Sequence, residues 1–401
     1  MQEEHPVLEG EANIPAATKV VYGPNKAFTA INQELDEVGA ARAFIITGNT
    51  LANKTDLVPQ LAQALGKRCV GIFDSTRQHT PRSGVIEAAR MAKKAGADIL
   101  VGVGGGSPII GTKGTALVMA EGEDMDGLKV VFDYRTKTYV TPKLTRPKVP
   151  VIAIPTTLSA GEFSEAMGIT NDQTGMKDTY LDAKVVPRTI ILDPVMTTAT
   201  PLWLWASTGV KALQNAIERY YSRNRSPFHE GLCLAAVKIV FRYLKRSVDD
   251  PTDLFARGHL QFLNWMTVFG GGRGGVGLGH AICHQLGSVC NVPHGISGCI
   301  VLPHTMEFNR PVTLTLQRDI AEAMGIDISK LSAEEAAVQA VGRVRDLVAS
   351  LGLTSRLRDA GVKEEQLPTI AEFTFRDRSL GPTPRPPRDV NEVVEILRKM
   401  F

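Results

Sequence analysis

Three histidines stand within fifteen positions of one another, His280, His284 and His294 in GHAICHQLGSVCNVPHG. Imidazole exchanges protons near neutral pH and is a common metal ligand, so such a cluster suits acid–base chemistry or an ion. His280 and His284 are four positions apart, which puts both on one face of the helix this segment predicts. His294 follows in the turn Val292-Pro293-His294-Gly295. A single histidine in a folded protein is usually packed or simply exposed. Three together, flanked by glycines, point to a site.

A second constellation lies upstream. Gly104-Gly105-Gly106-Ser107 closes an apolar run and opens a helical one. There, backbone N–H groups and a helix N-terminus can face an anion, and glycine lets a phosphate approach closely. A plain tight turn between strand and helix is the blander reading. Ile154-Pro155-Thr156-Thr157 ends another apolar run, placing two hydroxyls at the carboxyl edge of a sheet, where open α/β sheets bind ligands. Two aligned sites favour a dinucleotide, although a Thr-Thr pair alone would reflect strand propensity. Where an NAD-type site carries an acid for the ribose hydroxyl, this chain reads Gly48-Asn49-Thr50. No carboxylate there repels a 2′-phosphate, so NADPH is permitted and slightly favoured over NADH.

The elements that must position these residues are legible as periodicity. AFIITG at 43–48, CVGIF at 69–73, DILVGVGGG at 98–106 and VPVIAIPTT at 149–157 read as strands, with an amphipathic helix at 84–96 between two of them. That rhythm predicts βαβ units around a parallel sheet. After Asp193-Pro194 the alternation stops, and long 3.6-period runs at 203–222, 229–247 and 279–289 predict a helical half. The expected division is residues 1–193, nucleotide-binding, and 194–401, helical and catalytic. Glycine and proline clusters at 270–279 and 381–387 predict loops.

Composition narrows the class. A chain of 401 residues exceeds the size of one growing core, so two domains are expected. Lys and Arg number 45 against 42 Asp and Glu, without long single-sign blocks, which argues for a small-molecule substrate and against nucleic acid. Five cysteines without CxxC spacing fit a reducing compartment. The polar, acidic start and the absence of a run of about 18 apolar residues predict a cytoplasmic protein without membrane contact.

GGGSP at 104–108, IPTT at 154–157, LPH at 302–304 and GHAICHQLGSVCNVPHG at 279–295 resemble, in order and interval, the iron-containing alcohol dehydrogenase family. Within it, PTTLSAGEFSEAMGITND and Cys283-His284 look closer to the maleylacetate reductase-like branch. The resemblance implies an N-terminal Rossmann-like domain and an all-helical C-terminal domain, the dehydroquinate synthase-like fold, with the active site in the cleft between them. Dimers are the commonest state for enzymes of this kind, so a homodimer is the expected assembly. By the same resemblance Gly105, Gly106 and Ser107 hold the pyrophosphate, Thr156 and Thr157 flank the nicotinamide half, and Lys177 reaches a ribose. The family's aspartate three residues after the GGGS serine is Ile110 here.

The resemblance also locates an emptied metal site. Four positions hold a divalent ion in metal-dependent relatives, and they fall on Lys211, Asn215, His280 and His294. Two imidazoles remain where catalytic zinc or iron normally takes three protein ligands, so no metal is expected. A dication with one aspartate carries the same net charge as Lys211 beside neutral Asn215. Lys211, if desolvated, could therefore polarise a substrate oxygen. The plainer alternative is a solvated lysine, since Val210, Leu213, Ile217 and Tyr220 form an apolar stripe on that helix. His284 is the expected proton donor and His280 the next candidate. His79 is a weaker candidate for the cleft, His304 is expected to cap a helix, and Trp203, Trp205 and Phe228 are expected in the core.

These expectations amount to a metal-independent reductase acting with NADPH or NADH on a ketone or activated enone. A non-redox lyase, dehydratase or cyclase with a vestigial nucleotide site stands as the alternative, and a silent scaffold as the third reading.

Overall fold

The computed structural model describes residues 19–133, 138–269 and 275–401. Its centre is a six-stranded parallel sheet of β1 (Lys19–Tyr22), β2 (Ala43–Ile46), β3 (Cys69–Phe73), β4 (Ile99–Gly104), β7 (Val151–Pro155) and β10 (Thr189–Leu192). The spatial order is β1-β10-β7-β4-β2-β3. Two antiparallel hairpins accompany it, β5 (Val131–Asp133) with β6 (Thr138–Val140) and β8 (Ala166–Thr170) with β9 (Lys177–Leu181).

The sheet's strands are apolar on both faces because helices cover both. Ile99, Leu100, Val101 and Val103 of β4 are fully buried, as are Ile152, Ala153 and Ile154 of β7. Burying each larger side chain of this kind contributes roughly 1.5–3 kcal/mol. Helices α1 (Arg82–Lys94) and α2 (Gly106–Glu121) pack beside these strands. Close approach is written in Gly102, where a Cβ would fall 2.5 Å from Thr112 Oγ1 of α2.

From Leu202 onward every described element is helical, including α3 (Leu202–Tyr220), α4 (Pro227–Asp249), α5 (Leu278–Cys290), α6 (His294–Asn309) and α7 (Leu367–Arg376). The chain forms two compact units. One holds the sheet up to Ala212 together with Arg242–Trp265; the other holds Leu213–Phe241 and Met266–Phe401. The division therefore falls inside α3 and recruits the end of α4, whereas a single cut was expected at Asp193. The reason is packing: Trp205 Nε1 donates to Ser247 Oγ at 2.9 Å, and a Cβ at Gly209 would strike Leu244.

Several expectations are adjusted. Strands are shorter than the apolar runs, since Gly105–Gly106 and Thr156–Thr157 leave the ladder at its carboxyl edge. The β8–β9 hairpin was not anticipated, because its residues lack a long alternating run. Trp205 is core, but Trp203 and Phe228 are 50% and 57% exposed and do not belong there. The expected loop at 381–387 is irregular as anticipated, while Gly270–Gly274 of the other lie outside the described residues.

Candidate active site

In the sheet-bearing unit, β4 delivers the chain to Gly104 and α2 begins at Gly106. Gly104 has φ of 139°, where a side chain would be strained, and a Cβ there would lie 2.8 Å from Pro108 Cγ. The N-cap position of α2 is Gly105, so no side chain occupies the helix N-terminus. Two hydroxyls face the loop. A Cβ on Gly105 would lie 3.2 Å from Thr157 Oγ1, and one on Gly106 would lie 3.6 Å from Ser159 Oγ. Both hydroxyls are buried without a hydrogen-bond partner. An orphaned donor pair beside a 16-residue helix whose first N–H groups are uncapped fits the phosphates of a dinucleotide. Thr156 is placed from below, its N–H donating to Gly104 O at 2.9 Å and its carbonyl accepting from Thr200 Oγ1 at 2.7 Å.

The hairpin explains how Lys177 and His79 come to this edge. His79 and Thr80 have φ of 64° and 52°, two consecutive left-handed residues of the kind that concentrate at functional sites. Thr80 Oγ1 donates to Ser107 O at 3.3 Å, and Thr170 of β8 donates from Oγ1 to His79 O at 2.8 Å. Lys177 pairs with Thr170 across the hairpin, and its stem lies over Gly168. Ile110 is partly buried against the core and against Gly161, so this position serves packing where relatives carry an acid. Beside β2, Gly48 and Asn49 border an open groove of about 370 Å³ lined also by Ser75, Arg77, Ser83 and Glu87.

In the helical unit the three predicted imidazoles converge. Ring centroids of His280 and His284 are 6.3 Å apart, His280 and His294 6.2 Å, and His284 and His294 6.0 Å. His280 and His284 share α5, and His294 opens α6 immediately after the expected turn. Each of the first two has a carboxylate. His280 Nδ1 lies 2.7 Å from Glu218 Oε2, both groups being buried. Glu218 also accepts from Gly277 N at 2.8 Å and from Gln214 Nε2 at 3.1 Å. Gly279 is required beneath this network, because a Cβ there would fall 2.0 Å from Glu218 Oε1. His284 is exposed, and its Nδ1 lies 3.0 Å from Asp377 Oδ2. The His284 ring and N–H donors around Ser379 hold Asp377 below the usual carboxylate range despite burial, so it stays ionised at neutral pH.

Lys211 is 7% exposed, which removes the reading of a solvated lysine. Val210, Leu213 and Ile217 are fully buried as the stripe required, so α3 is covered on more than one face. Asn215 follows one turn on and is partly exposed. Among the described residues, no group of three or more His, Cys, Asp or Glu side chains is placed to hold an ion. At the two positions where the family resemblance implies ligands, Lys211 and Asn215 are not residue types that divalent zinc or iron normally takes.

Both the sequence and the fold match proteins of known class. Residues 17–194 match the profile described as "Iron-containing alcohol dehydrogenase", and residues 205–401 match "Fe-containing alcohol dehydrogenase family, C-terminal". Lactaldehyde reductase of Escherichia coli is 31% identical over 92% of this chain and 94% of its own length. The chain belongs to the iron-containing alcohol dehydrogenase family. It is an oxidoreductase of that family, whose members work with nicotinamide cofactors. Maleylacetate reductase 1 of Cupriavidus pinatubonensis is 29% identical over 92% of this chain and 91% of that protein. The crystal structure of 1,3-propanediol oxidoreductase superposes with a TM-score of 0.89 at 27% identity, covering 98% of this chain and 100% of the other.

Sequence reading missed Glu218, Gln214 and Asp377. Glu218 carried a faint signal, an acid three residues after Asn215 in an otherwise apolar helix. Asp377 carried none, being 93 positions from its histidine. His304 does not cap a helix. It sits inside α6, where burial lowers its proton affinity.

Proposed function

We propose that this protein reduces a ketone or activated enone of a small organic substrate with NADPH or NADH, without a metal ion. The observation that carries the metal-free part is Lys211, a buried ammonium one helical turn from Asn215. When bound, the reduced nicotinamide supplies the hydride that goes to the electrophilic carbon. The chain's own groups do the rest. Backbone N–H groups at Gly105 and Gly106, with the Thr157 and Ser159 hydroxyls, bind the pyrophosphate. Lys211 offsets the negative charge that develops on the substrate oxygen. His284 gives up a proton, so that carbonyl, hydride and proton together make the alcohol; on an enone the hydride enters at the β carbon and the proton ends on the α carbon. Asp377 orients the ring, and because His284 is exposed, water restores its proton.

NADPH is permitted and slightly favoured over NADH. Gly48 leaves no acid at the end of β2, where an NAD-type site would carry one for the ribose.

Fluorescence titration with NADPH and NADH, followed by loss of reduced-cofactor absorbance against a panel of carbonyl compounds, tests the reading. His284→Ala should cut turnover about a hundredfold with little change in nucleotide affinity. Tight nucleotide binding without turnover on any carbonyl or enone would overturn it in favour of non-redox chemistry.

A further inference from the structure

The strip Thr156–Ala160 passes the glycine loop between β7 and the turn Gly161–Phe163, and it belongs to no strand or helix. Side chains from later in the chain set its course instead. The Thr156 carbonyl accepts from Thr200 Oγ1 at 2.7 Å, the Leu158 N–H donates to Thr208 Oγ1 at 3.3 Å, and the Ser159 carbonyl accepts from Asn264 Nδ2 at 2.7 Å. Peptide groups are planar, so a Cβ points where the two planes flanking its Cα send it. For Thr157 those planes are held by Thr200 and Thr208. For Ser159 the plane that follows is held by Asn264, 105 positions further along the chain.

Asn264 is held firmly in this role. It is 1% exposed, and because a carbonyl only accepts, the carboxamide presents Nδ2 to it. The helix that carries Asn264, Leu263–Val268, is tied to the far end of the same strip. There the Trp265 ring stacks on Phe163, with centroids 6.2 Å apart and planes 3° from parallel. A short amide arm on an anchored helix therefore fixes where Ser159 Oγ stands, 3.6 Å from the place a Cβ on Gly106 would take.

We propose that Asn264 is a positioning residue of the dinucleotide site: it holds the Ser159 carbonyl and thereby aims the Ser159 hydroxyl at the pyrophosphate. It acts through Ser159 and not by contact with the cofactor. A hydroxyl aimed before the ligand arrives loses no further rotational freedom on binding, so its placement appears as affinity. This inference rests on the dinucleotide reading above, in which Ser159 binds the pyrophosphate.

The test is a double-mutant cycle on NADPH affinity, read by calorimetry, in the parent, S159A, N264L and S159A/N264L. Leucine keeps the branched shape of asparagine without its donor, and N264A, which asks for no extra room, is measured beside it. S159A should raise Kd about tenfold, as for one hydrogen bond to a charged group. N264L should raise it by about fivefold to tenfold, and the double variant no further than S159A alone. ADP-ribose, which keeps the pyrophosphate and lacks the nicotinamide, should show the same pattern. In turnover the N264L loss should fall on KM for NADPH more than on kcat. Parental affinity in N264L and N264A, with S159A weakened, would overturn the inference and leave the dinucleotide site standing. Losses that multiply in the double variant would overturn it too, since a merely structural asparagine acts on the site without Ser159. A parent that binds neither NADPH nor ADP-ribose, or an S159A variant with parental affinity, would remove the pyrophosphate assignment of Ser159 and this inference with it.

Discussion

Glu218 Oε2 lies 2.7 Å from His280 Nδ1 and 2.8 Å from the Gly277 amide nitrogen, so one buried oxygen fixes both a ring of the histidine cluster and the backbone that leads into its helix. The arrangement sets which nitrogen of His280 carries the proton in the neutral ring, namely Nδ1. Glu218→Gln retains the size of the side chain but offers one acceptor oxygen where two are used. We expect that variant to fold and to lose at least about tenfold in turnover, in the range of a displaced acid–base partner. Glu218→Ala should in addition cost about 3–5 kcal/mol in denaturant unfolding, as when one half of a buried pair is removed. A Glu218→Gln enzyme with parental turnover would show that the orientation of His280 is irrelevant to catalysis.

The phosphate loop makes a cleaner prediction, because its requirement is steric. Gly105→Leu would drive a side chain into Thr157, 3.2 Å from the new Cβ, and into the space above the uncapped N-terminus of α2. The backbone of Gly105 is extended, with φ of −77°, so the substitution introduces no backbone strain. Dinucleotide affinity should fall beyond detection while circular dichroism and the unfolding midpoint stay near parental values. Unchanged affinity in a folded variant would remove the assignment of Gly105 and Gly106.

Lys113 and Glu162 form a stability device that is separable from catalysis. In its ammonium form Lys113 donates to the carbonyls of Gly161, Ser164 and Ala166 at 2.8, 2.5 and 2.9 Å, tying α2 to the segment that follows Thr157 and Ser159. Burial lowers Lys113 to about 7 and raises Glu162 to about 8. The signs follow. Between the ordinary carboxylate range and about 7 the folded protein holds the Glu162 proton that the unfolded chain has lost, so this group's contribution to stability falls as pH rises. Between about 8 and the ordinary lysine range the unfolded chain holds the Lys113 proton that the folded protein lacks, so stability rises with pH. The pair should therefore impose a shallow minimum near pH 7 to 8 on unfolding free energy. Lys113→Met with Glu162→Gln should flatten it, and Lys113→Met alone should destabilise by roughly 1–3 kcal/mol, because the carbonyls of Gly161, Ser164 and Ala166 lose their donor. A pH profile unchanged in the double variant would show that neither group titrates on unfolding.

Local pattern made much of this legible. The strands announced themselves because a sheet covered on both faces needs apolar residues at every position, as in Ile99–Val103. The histidine cluster was legible because all three rings come from one short segment, where helix periodicity fixes two of them and a Pro-Gly turn brings the third. Glu218 and Asp377 were not, since each acquires meaning only from a partner elsewhere in the chain. Lys211 shows the limit most clearly. Its helix has an unmistakable apolar stripe, and a stripe predicts one buried face. Because α3 is enclosed more widely than its stripe requires, a lysine off the stripe is buried nonetheless. Periodicity reports which residues need burial and says nothing about how many neighbours surround a helix.

The last prediction concerns the metal. By the family resemblance the ion-holding positions fall on Lys211, Asn215, His280 and His294, and of these four residue types His280 and His294 alone can ligate. Two imidazoles could bind adventitious zinc weakly, so the metal content of a preparation decides nothing. Activity is the measurement. Exhaustive chelation should leave the reduction rate unchanged, and added zinc or ferrous ion should not raise it. Lys211→Ala should abolish turnover without rescue by metal, because Asn215 cannot complete a site. Joint substitution of Lys211→Asp and Asn215→His supplies a carboxylate and an imidazole four residues apart on α3, restoring with His280 and His294 the residue types of the four-ligand set that the family resemblance implies. That variant should bind one equivalent of zinc tightly by calorimetry, even if its activity stays low. A parent enzyme that loses its rate to chelation and regains it with one equivalent of a single metal would overturn the account, and would place the ligands on residues other than these.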